Sequence, residues 1–112
     1  MRWIICLAGI TALVALPAAL LAETHPPITD LSKLKEVDWT GLSDAQKKIA
    51  LRVMNENGCN CGCKMTIATC RDRDSSCRRS LIFARTIIDA LREGKPEAEV
   101  VKTLKAKADT FV

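Results

Sequence analysis

Five cysteines, Cys59, Cys61, Cys63, Cys70 and Cys77, crowd into the middle of a 112-residue chain. Thiols at that density support three chemistries. Paired, they staple a small domain by restricting its unfolded chain, an effect worth about 2–4 kcal/mol for a bridge. Left as a thiolate beside an exposed bridge, one of them can attack it and pass the disulfide to a partner. Ionised together, they can hold a soft metal. Cys61-Gly62-Cys63 is a Cys-x-Cys pair suited to Cu(I), and four thiolates of the five make a tetrahedral zinc site. An odd set cannot all pair within one chain, so two bridges leave one cysteine over, and spacing alone leaves the connectivity open.

The exchange reading puts the chemistry on Cys59, Cys61 and Cys63, with Cys61 and Cys63 exposed and Cys59 as the resolving thiol. Gly62 lets the backbone turn tightly, so a Cys61–Cys63 bridge would be short and strained, and such bridges are the exchangeable ones. Lys64, Arg71, Arg73, Arg78 and Arg79 flank the cluster and favour thiolates. The same residues, offset by Asp72 and Asp74, also read as a solvated face. Candidates for a structural staple are Cys63, Cys70 and Cys77. Zinc cysteines usually come as two Cys-x-x-Cys knuckles, which this spacing does not repeat. His25 lies upstream between turn formers and reads as a loop residue, and Met65 reads as core. No Cys-x-x-Cys-His is present, so covalent haem is excluded, and no cofactor is expected.

The elements that must position these thiols are helical. Ser43 with Gln46 makes a capping-box pattern that opens a helix from Asp44 to about Asn55, with Ala45, Ile49, Ala50 and Val53 as its apolar stripe. Asn57-Gly58 ends it directly before Cys59. A short helix is expected from Met65 to Cys70, then a polar turn from Arg71 to Ser76. Cys77, Leu81, Ala84, Ile88 and Leu91 form the inner face of a longer helix that stops at Gly94, which places Cys77 on the buried side, paired and inward-facing. Pro96, followed by Glu97 and Glu99, starts a last helix with Val101, Leu104, Ala108 and Phe111 on one face. No strand pattern occurs. The expected fold is all-α: a small disulfide-stapled three-helix bundle or helical hairpin with a Cys-rich turn.

Ahead of this domain, Arg2 precedes an apolar run from Trp3 to Leu16, then Pro17 and the small residues up to Ala22. That order is a secretory signal peptide over residues 1–22, and it places the rest in an oxidising compartment, periplasmic or secreted. If the leader is retained, its uncharged stretch is long enough to anchor the protein in a membrane. Residues 23–42, with Pro26-Pro27 and no sustained period, read as a linker containing one helical turn, and residues 43–112 as the Cys-rich helical domain. Lys and Arg total 17 against 13 Asp and Glu, a net charge of +4. With no tyrosine and only Trp39, Phe83 and Phe111 outside the leader, that charge does not describe a nucleic-acid surface.

From Ala50 to Val112 the chain resembles the small periplasmic domain of the cytochrome c maturation protein H family. The residues that carry the resemblance are Leu51-Arg52 ahead of the cysteines, Leu91-Arg92-Glu93-Gly94-Lys95 followed by Glu97-Ala98-Glu99-Val100, and the ending Asp109-Thr110-Phe111-Val112. The family's redox pair is Cys-x-x-Cys, where this chain has Cys59-x-Cys61-x-Cys63 plus Cys70 and Cys77. The chain also looks like Cys-rich helical segments of exported bacterial proteins that carry thioredoxin-fold domains. Both resemblances imply an exported thiol-disulfide module whose partner is a thioredoxin-fold oxidoreductase or an apocytochrome. Two other classes stay open beside it: a noncatalytic stapled adaptor or subunit of a periplasmic complex, and a soft-metal (Cu or Zn) binding protein.

Overall fold

A computed structural model of the chain describes residues 25–111. The leader read over residues 1–22, with Cys6 and the expected cleavage after Ala22, lies outside them. The described residues fold as four α-helices with no strand: α1 (Asp44–Glu56), α2 (Ile67–Arg73), α3 (Arg78–Arg92) and α4 (Glu97–Asp109). Helix α3 is the spine, packing against each of the other three. None of the described helices is long and apolar enough to cross a membrane.

Each helix start has a local cause. Ser43 caps α1 through the expected capping box: its hydroxyl accepts from Gln46 N–H at 3.1 Å, and Gln46 Oε1 accepts from Ser43 N–H at 2.9 Å. Thr66 caps α2 by accepting from Thr69 N–H at 3.1 Å. That cap moves the short helix C-terminally of the expected Met65–Cys70, so Arg71, Asp72 and Arg73 are helical rather than part of a polar turn. Pro96 is the N-cap of α4 rather than its first residue. Gly94 stops α3 in the left-handed region, with φ of +79°, where a side chain would be strained.

The core runs along α3 through Phe83, Ala84, Ile87, Ile88, Ala90 and Leu91, faced by Ala50, Val53 and Met54 of α1, Ile67, Ala68 and Cys70 of α2, and Val100 and Leu104 of α4. Ala45, expected on the stripe of α1, is exposed, because the helix presents Ala50, Val53 and Met54 to the core instead. Val100, not foreseen on the inner face of α4, is fully buried. The segment expected to be a linker does contain a helical turn, the 3-10 stretch Leu31–Lys33, yet it also sends Leu34 and Leu42 into the core. Its backbone is tied down by side chains of the bundle. Asn55 both accepts from Ile28 N–H (2.9 Å) and donates to Ile28 O (2.8 Å), while Arg92 donates to Asp38 O and Thr40 O.

Candidate functional site

The three Cys-x-Cys residues sit on a loop closed at its neck by antiparallel pairing of Gly58 with Thr66. Cys59 N–H donates to Met65 O and Ile67 N–H to Asn57 O, both at 2.9 Å, so the two ends of the loop stay together. Inside it the chain reverses by passing through the left-handed region at Gly62 (φ 93°) and Lys64 (φ 60°). The loop tip is held down as well: Arg79 donates to Asn60 O at 2.7 Å, and Asn60 Nδ2 to Ala108 O at 3.3 Å. Arg79 also stacks over the Phe111 ring at 4.9 Å, and Phe111 meets Phe83 edge to face. Cys70 arrives from the middle of α2 and Cys77 from the N-cap of α3.

These three sources converge. The sulfurs of Cys59, Cys61, Cys70 and Cys77 all lie within 4.8 Å of one another, and the Cys59–Cys77 pair is 3.9 Å apart. An S–S bond is about 2.05 Å long, so the sulfurs are in contact without being bonded. All five described cysteines are free thiols, and the staple expected from Cys63, Cys70 and Cys77 is not formed. Cys70 and Cys59 are buried, Cys77 and Cys63 are partly exposed, and Cys61 is exposed. Cys77 was expected inward on the helix face; as the N-cap it instead turns its sulfur back over the first turn of α3, where Ser80 N–H reaches it at 3.5 Å.

The thiols differ sharply in acidity. Burial pushes Cys59 up to about 12, helped by its thiol contact with Cys61. Burial likewise raises Cys70 and, with the Cys63 thiol, raises Cys61. At Cys77 burial also opposes ionisation, but the N–H and hydroxyl of Ser80, then the thiols of Cys70 and Cys61, outweigh it and bring the group down to about 6. Cys63 is lowered too: against burial stand the Cys61 thiol, the Met65 N–H and the thiols of Cys70 and Cys59. Of the three cysteines expected to exchange, Cys61 and Cys63 are accessible, whereas Cys59 is 6% exposed and held as a thiol.

The arrangement suits a soft metal. Zinc–sulfur bonds of about 2.3 Å put the edges of a tetrahedron near 3.8 Å. The Cys59–Cys77 separation of 3.9 Å already has that length. Closing the remaining edges needs sulfur movements of no more than about an ångström, within the reach of side-chain rotation. Cys63 falls outside the group of four. A cavity of about 360 Å³ opens beside the cluster, lined by Cys61, Cys77, Arg78, Arg79, Ile82 and Phe111, and gives it a path to solvent.

Sequence reasoning missed two residues here. Arg71, grouped with the surface cations, is completely buried, and Ser80, not singled out, is buried beside it. A Cys-x-x-Ser pattern at the start of an apolar-periodic helix was the available signal for Ser80. Nothing in the sequence marks Arg71 apart from Arg73. No protein-family model, curated protein or solved structure matches this chain.

Proposed function

We propose that this chain is a soft-metal-binding domain whose centre is formed by Cys59, Cys61, Cys70 and Cys77. The observation that carries this reading is the meeting of four sulfurs, from the loop, α2 and the start of α3, in a single cluster. A staple needs only two sulfurs together; a four-way convergence is what tetrahedral coordination requires. Zn²⁺ fits the full set, and Cu⁺ would be satisfied by fewer thiolates. The bound ion would supply charge neutralisation and a cross-link joining the loop, α2 and α3.

Titration of the reduced protein with Zn²⁺, or with Co²⁺ as a coloured substitute, should saturate at one ion per chain. Cys70→Ser should abolish saturable binding, and Cys63→Ser should keep the one-to-one stoichiometry. Loss of binding in Cys63→Ser together with its retention in Cys70→Ser would exclude this ligand set.

The 3.9 Å contact of Cys59 with Cys77 favours a second reading, thiol–disulfide exchange. The Cys77 thiolate would attack a partner's disulfide and form a mixed disulfide. Cys59, after losing its proton to solvent, would displace the partner, which leaves as a dithiol while Cys59 and Cys77 become bridged. A thioredoxin-fold oxidoreductase or an apocytochrome, in the exported setting, is the partner class. Disulfide mapping of the metal-free protein after incubation with an oxidised thioredoxin-fold protein distinguishes the readings. A Cys59–Cys77 bridge with reduced partner supports exchange; five persistent thiols speak against it. Thiols inert both to metal and to the oxidised partner would leave the noncatalytic adaptor.

A further inference from the structure

Two cavities meet at the start of α3. The one of about 360 Å³ is lined by Cys61, Arg79, Ile82 and Phe111, and a second, of about 330 Å³, by Glu36, Ser75, Leu81 and Arg85, while Cys77 and Arg78 belong to both. Together they make a groove that crosses the thiol cluster at Cys77 and follows α3 to its middle. Its apolar surface is Ile82 and Phe111 at the thiol end and Leu81, which is buried yet stands apart from the main core.

The charge of this groove is one-sided. Three guanidiniums, Arg78, Arg79 and Arg85, share it with one carboxylate, Glu36, which already lies 3.7 Å from Arg71. Arg71 spends its own donors inside the fold, on Ser80 Oγ and on the carbonyls of Lys35, Asp74, Ser75 and Cys77. Arg78 and Arg85, by contrast, are exposed and have no hydrogen-bond or ion-pair partner among the described residues. A guanidinium stays charged at any ordinary pH and offers five donors. Farther along α3 the balance returns, because Arg92 faces Asp38 at 3.5 Å and Asp89 at 3.4 Å. The uncompensated cations are therefore confined to the end beside the thiols.

We propose that this groove docks an acidic, extended segment of a partner polypeptide, with an apolar residue against Ile82 and Phe111 and carboxylates on Arg78 and Arg85. The seven-residue step from Arg78 to Arg85 covers about 10 Å of helix. Three residues of a polyproline-II chain cover about 9 Å and return the side chain to the same side, so two acids three positions apart match the pair. Docking there sets the partner beside Cys61, the exposed thiol, and Cys77. This names the partner of the thiol cluster and so rests on the cluster being the working site, but the docking itself needs no metal.

The test is fluorescence anisotropy with a labelled decapeptide that carries one leucine followed by two aspartates three positions apart, titrated with the full chain near physiological ionic strength. Saturable one-to-one binding that weakens as salt is added is expected. Reversing Arg78→Glu and Arg85→Glu together should weaken Kd about tenfold or more, because attraction becomes like-charge repulsion. Arg85→Gln should weaken it by a smaller factor. Lys102→Glu with Lys105→Glu reverses as much charge on the exposed side of α4 and should leave Kd unchanged. Melting temperatures should stay level throughout, since neither groove arginine holds another part of the fold. Absence of saturable binding, equal loss in both double variants, or equal binding of a peptide with asparagines for the aspartates overturns the proposal. Binding to phosphatidylserine vesicles that the peptide cannot displace also overturns it, in favour of a lipid surface. Zn²⁺ bound one to one by a chain that ignores the peptide refutes the docking alone, whereas peptide binding without any uptake of Zn²⁺ refutes the metal reading and leaves the groove standing.

Discussion

Saturating the reduced domain with Zn²⁺ is expected to raise its melting temperature by roughly 15–30 °C. An ion that binds only the folded state stabilises it by about 4 kcal/mol when free metal exceeds Kd about 1,000-fold. In a domain of this size each kcal/mol moves the transition by roughly 4–8 °C. The effect should be large here because the ligands come from three segments: Cys59 and Cys61 on one loop, Cys70 on α2, and Cys77 at the start of α3. Burial of Cys59 and Cys70 adds to the contrast, since two buried thiols that resist ionisation on their own become coordinated thiolates only around a cation. Differential scanning calorimetry with and without a chelator measures the shift. Cys70→Ser should remove it. A melting temperature that does not respond to stoichiometric metal would show that the four sulfurs do not act as one site.

Replacing Arg71 with methionine is expected to cost about 3 kcal/mol or more, a drop of roughly 12–25 °C. Two effects compete. Methionine relieves the guanidinium of its desolvation, which is why apolar replacements of buried charges are sometimes neutral. Against that, five acceptors lose their donor together, and the Ser80 hydroxyl lies where water cannot easily replace it. The second effect should win, because hydrogen bonds to a charged donor are worth about 1.5–3 kcal/mol each. Arg71→Lys should recover little of the loss, since a single ammonium cannot reach from Ser80 to Lys35 O and the connection before α3 at once. Arg92→Met provides the scale. Arg92 is about one-third exposed and makes comparable contacts at the surface, so its loss should cost under about 1 kcal/mol. Equal melting temperatures for the two variants would refute the anchoring role of Arg71.

The amino-acid sequence by itself determined the helical class, the presence of the four helical segments, and the start of α1 and the stop of α3, while the bounds of α2 fell two to three residues away from the expected ones. The Ser43–Gln46 capping box, the stop at Gly94 and the apolar period of α3 are encoded within a few residues of each other, so they can be recognised without knowing the fold. It also singled out the cysteines as the chemistry, together with three uses for them. Which four sulfurs meet was a tertiary decision. Cys63 is as close in sequence to Cys61 as Cys59 is, but the reversals at Gly62 and Lys64 and the pairing of Gly58 with Thr66 leave it outside the group. The docking of residues 25–42 was decided at the same level, since Leu34 and Leu42 belong to no sustained period and join the core of a segment whose backbone also bonds to Asn55 and Arg92. Arg71 and Arg73 have the same composition around them and opposite fates, one buried and the other exposed. What separates them is where the Thr66 cap starts α2, and hence which way each side chain points when α3 packs against it, information that exists only in three dimensions.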